Sequence, residues 1–417
     1  MTTKRRFKKS KFFRILVGTI KWLFIGVFAF YFLAFLIAGF KDFDSNGTYP
    51  FYWSGLEALW DADEDFGFWT NKPMTANFDG IDGPYVVGDS LFRVTEDNTF
   101  IRTAVDYHKP LNIPAPHGLG SFSVDLNRTI NTPDSNYSLP AKLIAISDIE
   151  GNFSAFYGFL LKNGVINEEF EWIFNDGHLV LAGDFVDRGE QVLPILWLIY
   201  KLEHEAKQHG GFVHFLLGNH EFMNFQGRWG YNKRKYIRAA QQISSCQAWD
   251  SAVRFLYSNH TFLGKWLRSK NVVLKVGEFI FVHGGFSPSL IDYHANLNLI
   301  NYKYKQFFAN AGNVKPTSDS LTHFLIEPDG PLWYRGMGTG HEEIADDVLD
   351  KILTFFTAKA IVIGHTVVDR VSTTMEKRII KIDVKHGGET FSSQTQGLLI
   401  ENNRLYYIDG TGCKTML

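Results

Sequence analysis

Cysteine is nearly absent from this 417-residue chain, with Cys246 and Cys413 the only two. No Cys-x-x-Cys pair exists, which excludes a thiolate zinc site. An exported compartment permits a disulfide, and two residues so far apart are equally compatible with free thiols. Acidic residues are missing from positions 1–21, which hold Lys4, Arg5, Arg6, Lys8, Lys9, Lys11, Arg14 and Lys21. Charge of either sign is missing from Trp22 to Phe40. Internal repeats and low-complexity tracts are lacking too.

The uncharged run is long enough to cross a bilayer: about 19 residues make roughly 28 Å of helix, against an apolar core of about 30 Å. A cleaved signal peptide has a shorter apolar region and a small-x-small site, to which Ala34, Ala38 and Gly39 are a poor match. The expectation is a single-pass anchor over 22–40. The basic end (1–21) would stay in the cytoplasm and everything beyond would be exported, to the periplasm if the source is Gram-negative. Eight of the 42 Lys and Arg lie in the first 21 residues, leaving 34 against 44 acids, a balance of −10 for the remainder. Such an acidic ectodomain excludes nucleic acid as the expected partner, since that partner needs a positive field.

The apolar content of the whole chain, 45%, suits one large α/β domain with accessories. Residues 41–70 are rich in aromatics, from Phe43 to Trp69, and read either as an interfacial belt or as packing on the globular body. Strand patterns separated by turn residues at 84–104 indicate a small β-meander. The Pro, Asn, Gly and Ser of 109–140 indicate a connecting stretch, so 41–140 forms a β-rich extension. Strand–helix alternation from 141 to 417 marks the main domain, with a helical cap insert at 224–270.

Within it, five apolar runs each end in a polar cluster. Lys142–Ile146 leads into Ser147-Asp148-Ile149-Glu150-Gly151-Asn152, and His178–Ala182 into Gly183-Asp184-Phe185-Val186-Asp187-Arg188-Gly189. Val213–Leu217 precedes Gly218-Asn219-His220-Glu221, Glu278–Val282 precedes His283-Gly284-Gly285, and Ala360–Ile363 precedes Gly364-His365-Thr366. Parallel α/β sheets bind ligands beyond the carboxyl ends of their strands, so these tails are expected to converge.

Oxygen ligands and imidazoles on strand ends suit two divalent ions of the Mn, Fe, Zn or Mg type. Asp184 is the natural bridge, because one carboxylate serves two ions. Such a pair activates a bridging hydroxide for in-line attack on phosphorus. Arg188 and Arg335, the latter in the glycine-bounded turn 330–336, supply planar cations for a phosphate. His220 is placed to protonate the leaving group, with Asp187 to orient it.

The order of these motifs resembles the calcineurin-like metallophosphoesterases, and within them the phosphoprotein phosphatase branch, over 141–408. Trp333-Tyr334-Arg335-Gly336 looks like the bacterial Shewanella-like phosphatases of that branch. The resemblance implies an αββα sandwich of two sheets faced by helices. It also implies a first metal on Asp148 and Asp184 and a second on Asp184, Asn219, His283 and His365. His220 paired with Asp187 would be the general acid, and Arg188, Arg335 and Asn219 would hold substrate. A second histidine two places after His365 is lacking, as in the phosphoprotein phosphatase branch.

One position departs from the pattern: Glu150 stands where that family has a histidine. Glutamate still ligates through oxygen. Three carboxylates and a bridging hydroxide would then cancel the charge of two divalent ions, whereas the histidine form leaves one positive charge. The expectation is a less Lewis-acidic site that leans on Arg188 and Arg335 and favours manganese, magnesium or iron over zinc, manganese first. The functional expectation is a membrane-anchored phosphatase acting on phosphomonoesters of protein, small molecules or lipid-linked groups. A pyrophosphohydrolase of dinucleoside polyphosphates or pyrophosphate-linked lipids, and a non-catalytic membrane scaffold, are the alternatives.

Overall fold

The computed structural model describes residues 11–38, 40–42, 51–53, 66–67, 78, 81–127, 129–310, 319–338 and 344–417. The chain divides into two compact units, Met1–Ala76 and Asn77–Leu417. In the first, Lys11–Ala38 is one helix, and Phe40–Asp42, Phe51–Trp53 and Phe66–Gly67 form a small antiparallel sheet. The helix carries the 21-residue segment Leu16–Leu36, mean hydropathy 1.9, with none of it buried. Trp22, Phe24 and Phe28 expose about 70% of their surface. By length and composition this helix is able to cross a membrane, a profile that a signal sequence shares. The side chains of the aromatic stretch 41–70 lie outside the described residues.

The second unit is built on two six-stranded sheets. One runs Phe212–Leu216, His178–Ala182, Lys142–Ile146, Gln396–Glu401, Arg404–Asp409, Lys414–Met416. Its first three strands are parallel, with Ile144 beside Leu179 and Leu179 beside Val213. The other runs Ser372–Thr374, Ile379–Lys381, Ala360–Ile363, Phe279–Val282, Val273–Val276, Asn136–Tyr137. Gln396–Glu401 and Arg404–Asp409 form an antiparallel hairpin in register Ile400 to Leu405.

Side-chain alternation explains the layering. Leu143, Ala145, Val180 and Ala182 of the first sheet meet Phe279, Phe281, Ala360 and Val362 of the second in one dry core. Each such Leu, Val or Phe contributes about 1.5–3 kcal/mol by leaving water. The intervening residues Ile144, Ile146, Leu179 and Leu181 are equally buried and point to the opposite face. The helices Phe153–Lys162 and Val192–Gln208 follow the first two of these strands. Asn152 starts the first of these helices, its Oδ1 accepting the Ala155 N–H at 3.1 Å. A sheet buried on both faces leaves only strand ends for polar chemistry.

The meander is present as Asp82–Val87, Ser90–Val94 and Phe100–Ala104. The stretch 109–140, expected as a connector, instead contains the hairpin Leu111–Pro114 with Ser121–Val124 and the edge strand Asn136–Tyr137. Its alternation of buried Leu111, Ile113, Phe122 and Val124 with exposed neighbours is the period-2 signal that the Pro and Gly content masks. The insert is helical, with Arg234–Ser244, Trp249–Leu256 and Phe262–Arg268. The two cysteines are free.

Candidate active site

The loops after the parallel strands come together. A cavity of about 580 Å³ is lined by Asp148, Glu150, Asp184, Arg188, Asn219, His220, Arg335 and His365. His283 lies fully buried behind it. Its Nδ1 meets the Ala182 carbonyl at 2.9 Å, which leaves Nε2 facing Asn219 Oδ1 at 2.8 Å and Asp184 Oδ2 at 3.1 Å. Nine of the ten residues expected from sequence are therefore one constellation, and the tenth, Asp187, stands behind His220.

Sharp backbone geometry aims these groups. Asp148, Glu150, Asp184, Asp187, Arg188 and His365 all have positive φ, between 47° and 71°. Each such non-glycine residue costs roughly 1 kcal/mol or more, and strain of this kind concentrates at functional sites. Close approach explains two glycines: a Cβ on Gly218 would lie 2.1 Å from Asp184 Oδ1, and one on Gly364 2.6 Å from Asp148 Oδ2.

Asp184 occupies the centre. Two groups of three donors have their ligand atoms within 4.8 Å of one another: Asp184 with His283 and His365, and Glu150 with Asp184 and His220. Asp184 belongs to both. Asp148 sits beside them, its Oδ2 accepting the His365 N–H at 3.2 Å. Burial pushes Asp148 up to about 7, with the charge of Asp184 adding and that of His283 opposing. Burial likewise pushes Glu150 to about 7, against the pull of Arg188. Burial works to raise Asp184 too, but His283 and His220 outweigh it and hold its carboxylate below the usual range. Burial, with the positive fields of His283 and Arg335, lowers His365 to about 3, leaving a neutral ring able to bind a cation. Crowded carboxylates beside neutral imidazole are a donor set that fits two divalent cations.

At the rim, His220 Nδ1 bonds Asp187 Oδ2 at 2.7 Å. The other oxygen of Asp187 accepts from Asn224 at 2.9 Å and from Asn232 at 2.7 Å. Arg188 pairs with Glu150 and lies over the Tyr231 ring, 5.4 Å from its centroid. Its backbone N–H donates to the Tyr231 carbonyl at 2.9 Å. Tyr231 and Asn232 come from the helical insert, which thus walls the site. Arg335 donates to the His365 carbonyl at 2.6 Å.

The sequence reading gave no role to Glu221, although its motif was in view. Glu221 is fully buried and accepts the backbone N–H groups of Gly218, Asp184, Phe185 and Val186, at 2.7, 3.0, 2.9 and 3.3 Å. Asp383 was missed outright. It is 3% exposed and lines the cavity at the end of the Ile379–Lys381 strand. The signal was available, since Ile379-Ile380-Lys381-Ile382-Asp383 repeats the pattern of apolar run then acid.

With this geometry in place, residues 141–369 match the family model described as calcineurin-like phosphoesterase. The chain belongs to that family. Shewanella-like protein phosphatase 1 of Plasmodium berghei is 32% identical over 235 residues, 55% of this chain and 62% of that protein. Shewanella-like protein phosphatase 2 of Arabidopsis thaliana is 24% identical over 294 residues, 60% of this chain and 72% of that protein. The crystal structure of the cold-active protein-tyrosine phosphatase of a psychrophilic Shewanella species superimposes with a TM-score of 0.70 at 32% identity, covering 81% of this chain and 99% of that one. These relatives place the chain in the Shewanella-like phosphatase group of the phosphoprotein phosphatase branch. It is a metal-dependent phosphoric ester hydrolase, of a family that binds two divalent metals.

Proposed function

We propose that this protein is a membrane-anchored phosphatase that hydrolyses phosphomonoesters at a two-cation site on Asp148, Glu150, Asp184, Asn219, His283 and His365. The observation that carries the reading is Asp184, shared by two donor groups and flanked by the His220–Asp187 pair. Two cations held there supply Lewis acidity to the phosphate and to the attacking water. Arg188 and Arg335 hold the remaining phosphate oxygens by paired hydrogen bonds. Asp187, fixed by Asn224 and Asn232, orients the His220 ring so that its Nε2 side faces the leaving oxygen and gives it a proton. Tyr231, Trp333 and Tyr334 flank the cavity and suit an aryl ester, in keeping with the Shewanella relative being a protein-tyrosine phosphatase.

His220→Ala tests this reading by the leaving group. Turnover of phosphoserine peptide should fall by about 10²–10⁴-fold, the usual worth of a general acid. Loss on p-nitrophenyl phosphate should be smaller, because p-nitrophenolate departs without a proton. Equal losses on both esters would remove His220 from the role. Faster hydrolysis of diadenosine tetraphosphate than of either monoester would move the substrate class to P–O–P bonds.

The anchor belongs to the same proposal, supported by the uncharged Trp22–Phe40 run behind eight basic residues. An alkaline carbonate wash should leave the full chain in the membrane pellet, and protease outside intact cells or spheroplasts should digest the catalytic unit. Release into the wash, or protection from the protease, would count against the anchor or its orientation respectively.

A further inference from the structure

A second cavity, about 650 Å³, adjoins the first and shares Asp148, Glu150, Arg188, Val367 and Asp383 with it. Asp383 is the charged residue of that set with no role so far. It is almost wholly buried, yet its carboxylate has no hydrogen-bond or ion-pair partner among the described residues. A buried carboxylate left without a partner costs several kcal/mol unless something compensates it.

The backbone around it is pinned on two sides. The Val368 N–H donates to the Asp383 carbonyl at 2.9 Å, which ties Asp383 to the loop carrying His365. His386 Nε2 meets the Ser147 carbonyl at 2.8 Å, and Asn152 Nδ2 donates to the Gly387 carbonyl at 2.9 Å. Those bonds tie the same segment to the loop carrying Asp148 and Glu150. Asp383 is therefore held between the two loops by contacts that do not involve its side chain. The groups whose charge it feels most are Asp148, His283, Asp184 and Arg335.

We propose that Asp383 is a metal-site carboxylate, binding the divalent ion on the Asp148–Glu150 side of the centre. This deepens the two-cation reading above and rests on it. Asp383 lines both cavities together with Asp148 and Glu150, and its own side chain is buried there. Mutual repulsion among three acids is what a divalent ion between them relieves. With Asp383 in the sphere, the residues assigned to that position, Asp148, Glu150, Asp184 and Asp383, are all oxygen donors, which suits Mn²⁺ or Mg²⁺ over zinc. The competing role is a counter-ion for Arg335.

The test is Mn²⁺ binding to the full-length protein in detergent, by calorimetry and by metal content after dialysis. Wild type should hold two Mn²⁺ per chain. Asp383→Asn, which keeps the shape and removes the charge, should weaken one of them by about 10–100-fold. Two ions held by a folded Asp383→Asn protein with wild-type affinity would overturn the assignment, and that is what a counter-ion to Arg335 gives. Carbodiimide labelling of wild type, read by mass spectrometry, bypasses any folding defect of the variant. Mn²⁺ should protect Asp383 and Asp184 together. Asp184 protected while Asp383 labels at its metal-free rate would sink this inference alone. A wild-type chain that takes up no Mn²⁺ would sink the two-cation reading and this inference with it.

Discussion

Asp184→Asn is expected to lower turnover of p-nitrophenyl phosphate with added manganese by about 10³-fold or more, and to strip at least one metal from the protein. The reason is position. Oδ1 of Asp184 accepts the His220 N–H at 2.9 Å, and Oδ2 faces His283 at 3.1 Å, so both oxygens are in use between the two donor groups. An amide offers one acceptor in place of two and removes a negative charge that no neighbour replaces. Lewis-acid stabilisation of several kcal/mol translates into about three decades of rate. The variant should remain folded, because Asn fills the same volume in the same backbone. Metal content by mass spectrometry alongside kcat checks the expectation. More than a tenth of wild-type activity with unchanged metal would show that Asp184 does not bridge. In the same assay Glu150→His should raise activity with zinc relative to manganese, and an unchanged preference would refute the charge argument for Glu150.

The second large effect concerns stability. Glu221→Ala is expected to destabilise the catalytic unit by about 3 kcal/mol or more, and to disorder the metal loop with it. Four backbone N–H groups converge on the Glu221 carboxylate in a place that water does not reach. Each buried donor left unpaired costs about 1–3 kcal/mol. Three of the four belong to Asp184, Phe185 and Val186, so the loop that presents Asp184 and Asp187 loses its anchor. Glu221→Gln should rescue only in part, since its NH₂ faces donors on one side. Urea unfolding midpoints measure this, and a Glu221→Ala midpoint within about 0.5 kcal/mol of wild type would contradict it.

Much of the site was legible because each motif follows its own strand within a few residues. Asp148 trails Lys142–Ile146, Asp184 trails His178–Ala182, and Asn219 trails Phe212–Leu216. Where the apolar run ends and the polar cluster starts is a local matter, and local pattern shows it. Asp187 and His220 were paired on chemistry, and the 2.7 Å bond between them is the contact that reading needs. Glu221 was harder, since a carboxylate one residue past a histidine looks like a ligand or a surface group. Its real partners are backbone N–H groups about 36 residues away in sequence, and backbone donors carry no residue code.

Asp383 marks the same boundary from the other side. Its strand is three residues long, and no glycine or histidine stands directly beside it, the nearest being His386 three positions on. Only the pairing of Ala360–Ile363 with Ile379–Lys381 carries it next to Asp148, a neighbour 235 positions earlier. Tyr231 and Asn232 are comparable: the sequence marks a helical insert, but not that its first loop packs on Arg188 and Asp187.

By itself, then, the order of residues determined the buried strands of a layered α/β core, the long apolar segment near the amino end, and the nine side chains that gather around Asp184, because runs of buried strand and their polar tails are written in adjacent positions. Tertiary structure alone decided which carboxylates share a cavity, which one holds the loop from behind, and which loop of the insert closes the wall. Those outcomes depend on strand pairing and loop packing between distant segments, and distances of that kind are set when the sheets assemble.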